Sequence, residues 1–227
     1  VKVLVERKSS KALKGLKPEV RELEDFGSDC DFALVVGGDG TLLAAARTLA
    51  PLDIPLIGVN LGRLGFLADI LPEHLEKRLD EVLDGHYDLE ERFMLEAVIK
   101  RDGNDVFRQT AVNDVVIHRS STTGMLEIVT HIDTVFLNSQ RSDGLIISTP
   151  TGSTAYALSA GGPILSPSLK AIVLAPVNPH ALSNRPIVVD NESVIGISFK
   201  KGKQFGARLV CDNVQSTPIE VNDRIEV

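Results

Sequence analysis

The chain reads as an α/β domain followed by an antiparallel β-rich domain, and three observations predict this. The first part alternates short, continuous apolar runs with helix-forming segments, the pattern of parallel strands joined by helical crossovers. After about residue 86, strand-like runs follow one another closely, separated by Asn, Asp, Gly and Ser, with one helix signal among them. The 227 residues are enough to bury a core without disulfide or metal staples. A composition of 43% hydrophobic and 24% charged residues is that of an ordinary folded domain rather than a disordered chain.

Residues 1–5 are apolar and β-branched, a first strand. A lysine-bearing stretch follows, with Ala12, Leu13 and Leu16 at helical spacing, so a helix is expected there. Residues 31–36 read as a buried strand, Thr41 onward as a helix, and residues 54–59 as a second buried strand entered through Pro55. Leu75, Leu79, Val82 and Leu83 form the stripe of an amphipathic helix over 72–83, ended by Gly85. Strands that are apolar throughout predict a parallel sheet covered on both faces. The texture changes near residue 88, giving domains at 1–88 and 89–227. In the second domain strands are expected at 94–99, 114–118, 126–132, 144–148, 171–175, 193–199, 207–211 and 223–227, with a helix near 153–160.

Charge narrows the function classes. Lys plus Arg is 24 and Asp plus Glu is 31, a net charge of −7. That balance argues against a nucleic-acid or acidic-membrane partner, which select cationic surfaces, and leaves room for a local phosphate pocket. No apolar run is long enough to span a bilayer, and no signal-peptide pattern opens the chain as given. The chain opens at Val1 inside an apolar strand, and a further N-terminal segment is expected. Cys30 and Cys211 lie far apart and are read as reduced thiols of a cytoplasmic protein.

Four segments carry chemistry. Gly37-Gly38-Asp39-Gly40-Thr41 joins the strand ending at Val36 to a helix. Glycines let a phosphate approach the main chain, and the helix start supplies N–H groups and a positive dipole end. A carboxylate at Asp39 is out of place in a loop built only for anions. It implies a further role, either accepting a hydrogen bond from a hydroxyl or holding a metal. The Gly-Lys-Ser/Thr ending of a Walker A loop is absent, and the sixth place of a dinucleotide fingerprint is Leu43. The second segment, residues 58–67, leaves the end of a strand with Asn60 as donor and acceptor and Arg63 as a candidate phosphate partner. The third places Asn113 and Asp114 at the head of a strand, either a turn pair or a reader of ribose hydroxyls and carboxamides. His118, on that strand, reads as a structural histidine.

The fourth segment runs from Arg141 and Asp143 through Thr149-Pro150-Thr151-Gly152-Ser153-Thr154 to Tyr156, Ser159 and Gly161-Gly162-Pro163. Hydroxyls and N–H groups at a helix start suit a diphosphate or ribose, and Tyr156 suits stacking on an aromatic base. No Gly-x-Ser-x-Gly elbow and no zinc-spaced His/Cys cluster occurs.

Together, Gly37-Gly38-Asp39-Gly40-Thr41, Gly58-Val59-Asn60-Leu61-Gly62 with Leu64-Gly65-Phe66-Leu67, Asn113-Asp114, and Asp143-Gly144 with the run from Thr149 to Tyr156 resemble the NAD kinase family, especially its bacterial members. The first loop alone is shared with lipid kinases of the diacylglycerol and sphingosine type. The resemblance implies an N-terminal Rossmann-like α/β domain, an antiparallel β-sandwich domain and a homo-oligomer, dimer or tetramer. It implies ATP, or polyphosphate in some members, as phosphoryl donor with Mg²⁺ or another divalent cation, and NAD as acceptor at the adenosine ribose 2′-hydroxyl. It makes Asp39 the base. It places Gly38, Gly40, Thr41, Asn60, Asn113, Asp114, Arg141, Asp143, Thr154, Ala155, Tyr156, Ala157, Leu158 and Ser159 among the substrate contacts. Asp114 stands where many relatives carry Glu.

Overall fold

The computed structural model describes residues 1–13, 15–27, 30–62, 65–68, 70–120, 124–181, 183–200 and 206–227. The chain divides into two compact units, Val1–Leu89 and Glu90–Val227.

In the first unit, β1 (Leu4–Glu6) runs parallel to β2 (Glu19–Arg21). The helix expected around residues 12–16 is not formed. A short 3-10 turn at Ser9–Ala12 stands instead. Gly15, at φ +85°, and Pro18 both oppose a continuing helix. A second parallel pair joins β3 (Ala33–Gly37) to β4 (Leu56–Asn60), with Gly37 in register with Asn60. Helix α1 (Asp39–Leu49) starts directly from β3, and its Leu49 and Ala45 pack with Phe26, Ala33 and Ile54 in the unit's core. The expected burial on both faces is not met: Leu34 and Val36 remain 38% and 48% exposed. Helix α2 (Leu75–Leu83) follows one turn at Pro72–His74 and ends at Gly85, whose φ of +82° lets its N–H reach Val82 O.

The second unit is a sandwich of two antiparallel six-stranded sheets. Its strands are β5 (Leu95–Arg101), β6 (Asn104–Ala111), β7 (Asp114–Arg119), β8 (Leu126–Ile132), β9 (Val135–Ser142) and β10 (Gly144–Ser148). After helix α3 (Tyr156–Ser159) come β11 (Ala171–Val177), β12 (Ile187–Asp190), β13 (Ile195–Phe199), β14 (Ala207–Cys211), β15 (Gln215–Ile219) and β16 (Arg224–Glu226). One sheet has the order β12-β11-β10-β7-β14-β15 and the other β6-β5-β16-β13-β8-β9. Their inner faces meet through Ile99, Ile128, Ile195 and Ile225 from one sheet and Ile117, Ile147, Ile172 and Leu209 from the other. On the outer face of the first sheet, fully buried Ala157 pins α3 against Val116, Ile146 and Val173. Among the described residues no helix is long and apolar enough to cross a membrane.

The strands that the sequence pattern does not predict, β6, β9, β12 and β15, are the four sheet edges. The register that positions the later site is fixed at the sheet centre: Ser148 of β10 and Asp114 of β7 lie opposite each other, and Cys211 of β14 lies opposite Val115.

Candidate functional site

In the first unit the glycine loop turns directly into α1, with Gly38 at the N-cap and Asp39 in the first turn. The Asp39 carboxylate reaches the second glycine segment. Phe66 N–H donates to Oδ2 at 3.1 Å, and the N–H groups of Leu67 and Ala68 donate to Oδ1 at 3.3 and 3.4 Å. Gly65 makes room for this: a Cβ there would overlap Oδ1 and stand 2.6 Å from Oδ2. Asn60 is buried, and its side-chain oxygen accepts from Gly62 N–H at 2.8 Å, so its carboxamide shapes the loop. Thr41 N–H donates to Gly38 O at 2.9 Å, and its side chain packs on Gly37. Arg63 and Leu64 lie outside the described residues.

Gly38 and Gly40 differ from Gly65. Neither has a positive φ, and a Cβ built on either meets nothing within 4 Å. Among the described residues nothing requires glycine there, and the space beside both is open.

In the second unit the main chain of Asn113 is held on every side. Its N–H donates to Asp212 Oδ1 at 2.8 Å. Its carbonyl accepts from Thr149 N–H at 2.9 Å and from Ser148 Oγ at 3.2 Å. Gly152 packs so closely that a Cβ would overlap this carbonyl. The side-chain Oδ1 of Asn113, by contrast, is buried without a partner among the described residues, an acceptor left open for a ligand's N–H or O–H. Beside it Asp114 is 6% exposed. Burial first, and the charge of Asp212 second, push its carboxyl up to about 7. Asp212 was not singled out by sequence reasoning. Its signal is an Asp-Asn pair at a hairpin turn, which usually means only a turn.

Of the hydroxyls expected to suit a diphosphate or ribose, those of Thr149 and Ser153 bond to the main chain. Thr149 Oγ1 donates to Val112 O at 2.6 Å and accepts Gly152 N–H at 3.1 Å. Ser153 Oγ donates to Pro150 O at 2.6 Å and accepts Leu165 N–H at 3.0 Å. They brace the loop, in which a 3-10 turn at Thr151–Thr154 precedes α3. Thr154 and Ala155 are half-buried, and Tyr156, Leu158 and Ser159 are exposed on α3, with Tyr156 at 48%. The Ala157 side chain lies in the core. His118 is structural, its Nδ1 lying 2.9 Å from Arg119 O.

Arg141 and Asp143 stand apart from this group. Asp143 pairs with Arg119 at 2.7 Å and accepts from Asn178 Nδ2 at 3.0 Å, at the Gly144 end of β10. Asn113 and Asp114 lie at the Ser148 end, the length of β10 away, roughly 16 Å at ~3.3 Å per residue. Arg141 is exposed on the edge strand β9.

Comparison with known proteins matches two family models: an ATP-NAD kinase N-terminal domain over residues 3–87 and an ATP-NAD kinase C-terminal domain over residues 112–227. An NAD kinase of Methylococcus capsulatus is 55% identical over 205 residues, covering 90% of this chain and 71% of the relative. One from Cellvibrio japonicus is 48% identical over 219 residues, covering 96% of this chain and 73% of the relative. Among solved structures, a yeast NADH kinase complexed with NADH superimposes with a TM-score of 0.90 at 30% identity, covering all of this chain and 70% of that one. An Archaeoglobus fulgidus NAD kinase in complex with ATP gives 0.73 at 30% identity, covering 98% of this chain and 88% of that one.

Asp114 makes stability depend on pH. Its carboxyl titrates at about 7 in the folded chain against an ordinary 3.8, so between those values the folded state holds the proton and the unfolded state does not. Its contribution to stability therefore falls as pH rises through this window and levels off above it. Asp114→Asn removes the titration. The variant's urea midpoint is expected to gain on the parent's from about pH 5 to about pH 7, then hold a constant margin.

Proposed function

The chain belongs to the NAD kinase family, and we infer that it phosphorylates NAD to NADP with ATP as the phosphoryl donor. The 2′-oxygen of the adenosine ribose bonds to the γ-phosphorus, the bond from that phosphorus to the bridging oxygen breaks, and ADP leaves. The hydroxyl proton needs an acceptor. Little covalent work falls to the protein in such a transfer, so positioning and charge placement dominate.

We propose Asp39 as that acceptor. Its two oxygens take three N–H groups from residues 66–68, which fix the carboxylate's place. A carboxylate has about four lone-pair sites, so capacity remains for one hydroxyl. Gly38 and Gly40 would admit the donor's phosphates to the main chain, with Thr41 and Asn60 shaping the loop around them. The observation that supports this reading is the fixed Asp39 carboxylate beside the bare Gly38 and Gly40, which no contact among the described residues and no backbone angle demands. In this reading residues 1–88 serve phosphoryl transfer and residues 89–227 hold the dinucleotide, through Asn113, Asp114 and the exposed face of 154–159. Arg141 and Asp143 belong to a separate contact, and a homo-oligomer in the cytoplasm completes the reading.

Among the described residues no three His, Cys, Asp or Glu side chains gather into a metal-ligand cluster. These residues do not form a resident cation cage. Mg²⁺ therefore enters the reading as MgATP, carried on the donor's phosphates.

Three substitutions test the first loop. Asp39→Asn is expected to keep NAD binding by calorimetry while kcat falls on the order of 10²–10⁴-fold, the usual weight of a general base; near-normal kcat would remove Asp39 from that role. Gly40→Ala should leave the melting temperature equal or higher, since Ala is better than Gly inside a helix by ~1 kcal/mol, yet lower kcat/KM by roughly tenfold or more. Gly65→Ala should lower kcat more than it raises KM for NAD, because its methyl displaces the Asp39 carboxylate from its N–H partners.

A further inference from the structure

Asp212 is 98 to 100 residues away from the segment it holds. Its Oδ2 accepts Val112 N–H at 2.9 Å, and its Oδ1 accepts Asn113 N–H at 2.8 Å and Asp114 N–H at 3.2 Å. The bond is returned: Asp212 N–H donates to Asp114 O at 3.0 Å. The residue sits in the turn between β14 and β15 at φ +46°, followed by Asn213 at φ +56°. Two successive left-handed positions favour glycine, and a non-glycine pair there needs a compensating interaction. At 212 the side chain supplies one, three charge-assisted hydrogen bonds that glycine could not make.

We propose that Asp212 is a positioning residue of the dinucleotide site, fixing through its carboxylate the backbone that presents Asn113 and Asp114. This rests on the reading that those two residues contact NAD. Asp212 need not touch the ligand. It locks the 112–114 backbone from one side while Thr149 and Gly152 lock it from the other, leaving the Asn113 carboxamide oxygen and the Asp114 carboxyl as the groups that point to a ligand. It also brings a negative charge to Asp114. Ser148 stands opposite Asp114 in the ladder, the Cys211 thiol next along β14 lies with Val115 in the core between the sheets, and Arg92 donates to Thr151 Oγ1 at 3.4 Å. Among the described residues Asp212 is the charge that acts on it.

The test uses the whole chain and four readouts: NAD affinity by calorimetry, KM for NAD, KM for ATP, and the pH dependence of kcat/KM for NAD. Asp212→Asn is expected to weaken NAD at least roughly tenfold, as for the loss of one charged hydrogen bond, with KM for ATP within about twofold of the parent's. The acid limb of kcat/KM for NAD, where Asp114 takes up its proton, should move to lower pH. Asp212→Glu keeps the charge but misplaces it, so NAD should weaken while the acid limb stays. Asn213→Gly, which eases the same turn without touching the carboxylate, should change neither. Unchanged NAD affinity in both Asp212 variants would overturn the proposal. So would a loss of active protein with both KM values unaltered, the mark of a purely structural role. Calorimetry reads NAD without turnover, so a parent chain that binds NAD but makes no NADP counts against the kinase reading and leaves this test standing.

Discussion

A carboxylate gripped by three consecutive main-chain N–H groups is the interaction on which the candidate residues of each unit depend. It occurs in each unit, at Asp39 with residues 66–68 and at Asp212 with residues 112–114. Such a carboxylate replaces lost hydration with oriented donors, and charge-assisted bonds of this kind are about twice as strong as neutral ones. The effect is to extend the tie beyond the end of a strand ladder, past the Gly37–Asn60 pair in one unit and past the Val115–Cys211 pair in the other. In the first unit the start of α1 and the loop after β4 become one body. In the second, the head of β7 and the β14–β15 turn do the same.

Glycine serves two opposite purposes around these anchors. At Gly65 and Gly152 the neighbour is already in contact, an Asp39 oxygen in one case and the Asn113 carbonyl in the other, so the missing Cβ is what lets the anchor close. At Gly38 and Gly40 the space is open. A tight-turn explanation fits the first pair and fails for the second. This separates internal packing from external access within one sequence signature, a distinction that counting glycines cannot make.

The sequence made the fold class and the central strands legible, because runs such as Val115–Ile117 and Leu145–Ile147 are continuously apolar. In the second unit it missed β6, β9, β12 and β15, each a sheet edge, where apolar runs are short or broken by polar residues such as Asn104, Arg108, Asn138 and Gln140. The apolar spacing at 12–16 makes no helix because Gly15 and Pro18 oppose its continuation. At the site, residue types were legible and their partners were not. Thr149 and Ser153 have the chemistry of phosphate ligands but commit it to Val112, Pro150, Gly152 and Leu165. Asp212 carried no motif, since its role exists only once a turn 98 residues away closes on Asp114.

Asp114 and Asp212 are neighbouring acids in unlike surroundings. Asp212 accepts three N–H groups. The Asp114 carboxyl is buried and faces its neighbour's charge. For folding alone this is a poor arrangement, because burial penalises the ionised carboxyl. Asn113 adds a buried, unpaired oxygen. An unpaired oxygen beside a carboxyl whose ionisation is penalised, on a backbone locked from both sides, is a local conflict that folding leaves unresolved. The cost of the unpaired Asn113 oxygen is recoverable by a group that donates a hydrogen to it, and so can return as binding free energy.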